Sequence, residues 1–136
     1  MGAWGAGIFE SDGALDFLTE LQRLPDPRDR MRQACEAATG ASYLEVDEGG
    51  AVLVSAAIIK AAILKEPLTP RQTAEWTLWQ EKIGRLDMSA LKVPAVRACR
   101  RVLADGSELR ELWLENANMF QQWKGNVDAI IFALER

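Results

Sequence analysis

Three sets of carboxylates and one Ser-x-x-Lys tetrad are the residues of this chain whose types and spacing suit chemistry. Glu10, Asp12 and Asp16 make the first set, Glu45, Asp47 and Glu48 the second, and Glu108, Glu111 and Glu115 the third. Two carboxylates can share acid and base roles on a sugar or hold a hard cation through oxygen, but nothing in the spacing demands either. Glu108, Glu111 and Glu115 recur on one helical face, the pattern of a solvated surface paired with bases such as Arg110. Ser89-Ala-Leu-Lys92 matches a tetrad used in acyl transfer. Its companion Ser-Asp-Asn and Lys-Thr-Gly motifs are missing, and the serine stands where a helix needs a cap. The 136 residues include no histidine. That removes the commonest general base, the Ser-His and Cys-His nucleophile pairs, and most zinc and iron sites. An enzyme built on this chain would need carboxylates, Lys, Tyr43 or a cofactor. The expectation is a protein with no catalytic residues, no metal and no cofactor.

The glycines at positions 2, 5 and 7 invite a phosphate-loop reading. Their order fits neither the dinucleotide fingerprint nor a P-loop, and no Lys-Ser/Thr follows. Met1-Gly-Ala-Trp-Gly-Ala-Gly-Ile-Phe9 therefore reads as a tight structural segment anchored by Trp4, Ile8 and Phe9. Cys35 and Cys99 are far apart in sequence and lack metal-ligand spacing, so two buried thiols are expected rather than a disulfide.

These residues must be positioned by helices. Ser11 is placed to cap a helix over Asp12–Leu24, whose Ala14, Phe17, Leu18, Leu21 and Leu24 form one stripe. Pro25 and Pro27 stop it. A second helix runs from Arg28 to about Thr39 and ends at Gly40. Its basic side (Arg28, Arg30, Arg32) reads as a solvated face in preference to a phosphate site. Tyr43–Val46 could be extended. The third helix, from Gly49 or Ala51 to Leu64, is apolar nearly all round and so belongs at the centre; a buried strand at Val52–Val54 is the alternative. Thr69-Pro-Arg-Gln72 reads as a capping-box start for a helix carrying Trp76, Trp79 and Ile83 to Gly84. Asp87 or Ser89 caps the next helix, about Ala90 to Ala104, closed by Gly106. Ser107 caps a short one, Glu108 to Glu115, with Leu109, Leu112 and Trp113 inward. The last, about Met119 to Glu135, buries Phe120, Trp123, Val127, Ile130, Ile131 and Leu134 and carries Gly125 within it.

The sum is an all-α fold: one domain over residues 1–136, a compact bundle of six or seven helices around the Ala-rich third. Apolar residues make up 49% and charged residues 26% of the chain, as in an ordinary globular protein. Twenty acidic against sixteen basic side chains give a net charge of −4, unlike a nucleic-acid binder with its basic face. The N-terminus lacks the basic region of a signal peptide, and the run Ala51–Leu64 is too short to span a bilayer, so a cytoplasmic protein without a membrane partner is expected.

The opening Met1–Phe9, then Ser11-Asp12 and Ala14–Leu18, resembles the start of a bacterial domain family of unknown function, DUF4259. Tyr43-Leu-Glu45, the Ala-rich third helix, Ser107-Glu-Leu-Arg-Glu-Leu-Trp113 and Trp123 resemble it as well. Small single-domain bacterial proteins of this kind often stand beside secreted toxins as immunity proteins. By that analogy the resemblance implies a non-catalytic protein that occludes the active site of a cognate toxin with a basic cleft, such as a nuclease of contact-dependent inhibition. Asp12, Asp16, Glu45, Asp47 and Glu48 are the candidate acidic surface, and Trp4 and Trp79 the candidate aromatic anchors. The alternative is a small-ligand binder or a carboxylate-based enzyme with a pocket between helices. The oligomeric state stays open.

Overall fold

The computed structural model describes residues 8–9, 11–68, 70 and 73–136. It is all-α, with seven helices: α1 (Asp12–Gln22), α2 (Arg28–Gly40), α3 (Val46–Leu64), α4 (Ala74–Ile83), α5 (Lys92–Val102), α6 (Glu108–Leu114) and α7 (Ala117–Leu134). A single 3-10 turn, Ser89–Leu91, leads into α5. Thr69 and Gln72, expected to form a capping box, lie outside the described residues, as do Trp4 and Glu10.

Side-chain oxygens start most of the helices. Ser11, Thr73, Ser107 and Asn116 each accept from the amide three residues on, at 3.1, 3.1, 3.5 and 3.3 Å. Each satisfies one of the donors that a helix leaves without an intrahelical partner. Asp87 does the same for the 3-10 turn, accepting from the Ser89 amide at 2.9 Å and from its hydroxyl at 2.6 Å. The helix expected from Ala90 begins as this tight turn and becomes α-helical at Lys92. Pro94 is then the third residue of α5, where its missing N–H leaves no bond unmade.

α3 is the axis of the bundle. Val52, Val54, Ile58, Ile59 and Ala56 are fully buried, and α1, α2, α5, α6 and α7 all pack on it. The strand alternative for Val52–Val54 is thereby overturned, because an apolar run of this length supports a helix buried on every side. Its buried Ser55 hydroxyl donates to the Ala51 carbonyl at 2.8 Å, so no polar group in the core is left wanting there. α3 begins earlier than expected, at Val46. Glu48 reaches back to accept from the Glu45 amide at 3.0 Å, in a capping-box arrangement that starts the helix at Val46, the last residue of the segment expected to be extended.

Ahead of α3, Leu44 pairs in parallel with Ser107 in an isolated bridge. The Leu44 amide donates to the Gly106 carbonyl and the Glu108 amide to the Leu44 carbonyl, both at 2.8 Å. This bridge fastens the start of α3 to the start of α6. Gly106 sits at φ 78, which glycine adopts freely.

α6 is only seven residues long and has no fully buried side chain. Leu109 and Trp113 occupy its inner face, one turn apart. Leu112, expected inward, is 47% exposed. A two-turn helix presents one row to the core, and that row is taken.

Gly125 falls in mid-α7, exposed, with open space where a Cβ would stand. Gly125→Ala is expected to stabilise the protein by about 1 kcal/mol, the helix-propensity difference, seen as a raised urea midpoint with unchanged slope. Gly49 gives the opposite result, because a Cβ there would lie 2.9 Å from Leu109 Cδ1. The Gly49→Ala variant should therefore loosen the α3–α6 contact.

Candidate functional site

Three helices start at the same end of the bundle. The Asp47 carboxylate, at the start of α3, lies against Gly13 at the start of α1, with Oδ1 only 2.8 Å from where a Cβ would stand. The start of α6 joins them through the Leu44–Ser107 bridge and through Glu108, whose Oε1 accepts from the Val46 amide at 2.8 Å. The reason is electrostatic as well as steric. Each helix start carries unpaired N–H groups and a partial positive charge, and carboxylates from neighbouring segments are drawn there.

The carboxylates collected at this end are Asp12, Asp16, Glu45, Asp47, Glu48, Glu108 and Glu111. Those of Asp12, Asp16, Glu45, Asp47 and Glu48 are exposed, as the sequence reading required of a surface. They are not equivalent. Glu48 and Glu108 are engaged in capping α3. Glu111 accepts from the Tyr43 hydroxyl at 2.8 Å. Asp12, Asp16 and Asp47 make no hydrogen bond or ion pair among the described residues, so they are the acids free to meet a partner.

Sequence reasoning did not place Tyr43, Glu108 and Glu111 at this surface. Tyr43 is 46% exposed and lies beside α6. An aromatic ring half out of water, with carboxylates around it, has the composition of a binding anchor within a charged rim. Two loops position it. Both are held by Arg101 of α5, whose guanidinium donates to the carbonyls of Ala41, Ser42, Asp105 and Gly106 at 3.2, 3.3, 3.1 and 3.0 Å.

Trp79 is not part of this surface. It is 7% exposed and packs against Trp76 with ring centroids 5.3 Å apart. Helical spacing from Trp76 and Ile83 turns it into the core, so it has almost no area to offer a partner. Its indole N–H has no hydrogen-bond partner among the described residues. Trp4, the other expected anchor, lies outside the described residues.

The Tyr43 phenol is pushed up to about 12 by its hydrogen bond to Glu111, helped by partial burial and by the nearby charges of Glu108 and Glu45. Tyr43 is the sole tyrosine, so its ionisation can be followed alone at the tyrosinate absorbance. The expected titration is single and centred well above the ordinary value of about 10. Glu111→Gln should bring it back towards that value, and an unchanged midpoint would break the assigned Tyr43–Glu111 pair. The sign is that of a raised folded-state value. Whatever the pair contributes to stability is present below the unfolded phenol's pKa and lost as pH rises through the folded one.

The other chemical candidates are occupied otherwise. Ser89 gives its hydroxyl proton to Asp87, while Lys92 Nζ donates to the Arg136 carbonyl at 2.7 Å, so serine and lysine do not address each other. The Ser89 bond holds the Asp87 carboxyl below the usual range. Arg28 is clasped by Asp26 at 2.7 Å and Arg30 pairs with Glu20 while lying over the Phe17 ring, so α2's basic side is largely paired. Cys35 and Cys99 are free, buried thiols, each pushed up to about 12 by burial, which suppresses the reactive thiolate. Among the described residues, no group of three or more Cys, Asp or Glu could hold a metal ion, and no helix is long and apolar enough to cross a membrane.

No curated protein and no solved structure matches the chain. A family model does, over residues 2–126, a span that takes in the starts of α1, α3 and α6, the Leu44–Ser107 bridge and the Arg101 staple. The chain belongs to the family described as a domain of unknown function, DUF4259.

Proposed function

We propose that this protein is a non-catalytic immunity protein, acting in the cytoplasm, that neutralises a cognate bacterial toxin by covering its active site. The observation that supports this is the acidic end at which three helices start, with α1 meeting α3 where Asp47 lies against Gly13, and α3 meeting α6 beside the half-exposed Tyr43. A nuclease or other enzyme that handles a polyanion carries a basic cleft. An acidic, rigidly supported surface meets such a cleft with complementary potential, which steers association and excludes substrate. Asp12, Asp16 and Asp47 supply the free charge, and Tyr43, beside Glu108 and Glu111, supplies an apolar contact. Rim charges act mainly on the association rate and its salt dependence, while a central aromatic governs dissociation.

The test is co-expression with the product of the neighbouring gene. A stable complex and relief of toxicity are expected. The triple variant Asp12→Lys, Asp16→Lys, Asp47→Lys should keep its helical spectrum and lose protection. Failure of the wild-type protein to bind or protect would end the reading, and so would full protection by the triple variant.

A further inference from the structure

On the outer side of α5, beside the last turn of α7, runs a cleft of about 450 Å³. Its walls are cationic: Lys92 and Arg100 lie two turns apart on one row of α5, Arg97 lies on the adjacent row, and Arg136 approaches from the end of α7. Its floor is apolar, formed by the buried Val96 and Leu134, with the exposed Val93 beside them. Glu135 is the one carboxylate among the lining residues. In a chain of net charge −4, this concentration of positive charge stands apart from the acidic helix starts described above.

We infer that this cleft is a binding site for a small phosphorylated ligand with an apolar portion, of the nucleotide class. Its volume falls within the ~300–1,000 Å³ of small-molecule sites. Guanidinium groups offer planar forks that match phosphate oxygens. Arg97 is exposed and makes no hydrogen bond or ion pair among the described residues, so its fork is available. Arg100 is tied to Glu135, but both side chains are largely solvated, at 57% and 44% exposure. Such exposed pairs contribute little and give way to a better anion. Lys92 adds a point charge at the other end of the row; one of its three donors goes to the Arg136 carbonyl at 2.7 Å, and the others are left for a ligand. Ser89, at the mouth, has already given its proton to Asp87, so phosphate recognition falls to the cations. Val96 and Leu134 beneath them suit a ring lying on the floor, with its phosphates turned to the guanidiniums.

The probes are ADP, inorganic pyrophosphate and adenosine, followed by amide chemical shifts of the whole chain. ADP should give saturable shifts confined to residues 89–100 and 134–136, with pyrophosphate binding more weakly and adenosine not at all. Arg97→Gln should weaken ADP by about tenfold, the worth of one charge-assisted hydrogen bond. Glu135→Gln should tighten it by removing the competing carboxylate. Both positions are exposed, so both variants should keep the wild-type spectrum elsewhere. The assignment is overturned if ADP gives no saturable shift there, if sodium sulfate at matched ionic strength reproduces the shifts, or if Arg97→Gln binds ADP as the wild type does.

Discussion

Arg101→Ala is expected to lower the stability of the fold by about 2–3 kcal/mol, a large fraction of what a domain of this size has to lose. One charge-assisted hydrogen bond contributes roughly 1.5–3 kcal/mol when shielded. Arg101 makes four to carbonyls, but Ser42 and Asp105 are solvent-exposed and water can replace the arginine there. The carbonyls of Ala41 and Gly106 are less accessible, and their loss sets the magnitude. Gly106 adds a geometric constraint. Its positive φ and its tight approach to both the Arg101 guanidinium and the Ser42 carbonyl hold the two loops in one arrangement. Arg101→Lys should recover less than half the loss, because an ammonium is a point donor and cannot serve a fan of carbonyls as a planar fork does. Urea unfolding of the three proteins decides it. A midpoint for Arg101→Ala within error of the wild type would show that the loops hold themselves.

The same substitution should reach the proposed binding surface. Tyr43 lies two residues beyond Ala41, and Glu108 two residues beyond Gly106. Once the staple is gone, amide exchange should rise first at residues 41–46 and 105–108, ahead of α2 and the centre of α3. A uniform rise would mean that Arg101 acts on global stability alone.

Much of this architecture was legible in the sequence, for a definite reason. Capping residues and apolar spacing are local, and Ser11, Ser107 and the stripe of α7 all placed their helices to within a few residues. The buried helix α3 announced itself by having no polar face. The errors also have physical causes. The sequence suggests too late a start for α3 because a capping box made by glutamates, with glycines after it, looks like a loop. Leu112 reads as inward in the sequence because a helix of two turns is too short for its period to fix a single face. The candidate site was half legible. Acidic residues at positions 12, 16, 45, 47 and 48 could be guessed as surface, since carboxylates favour helix starts. That α6 joins the same end depends on the pairing of Leu44 with Ser107, far apart in the chain. No spacing rule brings them together, and Tyr43 gained its place only through that pairing. Trp79 illustrates the converse. Its aromatic character suggested an anchor, while its register with Trp76 and Ile83 had already committed it to the core.

Trp123→Ala is expected to have the larger effect, about 3–5 kcal/mol, the usual result of truncating a buried tryptophan. Trp123 is 2% exposed, stacks on Trp113 with centroids 6.4 Å apart, and meets Phe120 at 5.9 Å. The consequence for α6 goes beyond the cavity. That helix has no fully buried residue of its own, so it is held at its inner face by Trp113 on Trp123 and by Leu109 over Gly49. Removing the Trp123 ring takes away one of these two supports. α6 should then open at a lower free energy than the rest of the fold, carrying Glu108 and Glu111 away from the acidic end. Hydrogen exchange distinguishes this local opening from global loss: α6 amides should lose more protection than those of α2 and α5. Trp123→Phe keeps a ring for Trp113 to lie on and should retain most of the α6 protection while still losing core stability. If α6 stays as protected as α2 in the alanine variant, then the capping bonds at Ser107 and Glu108 hold the helix by themselves, and the aromatic stack serves the core alone.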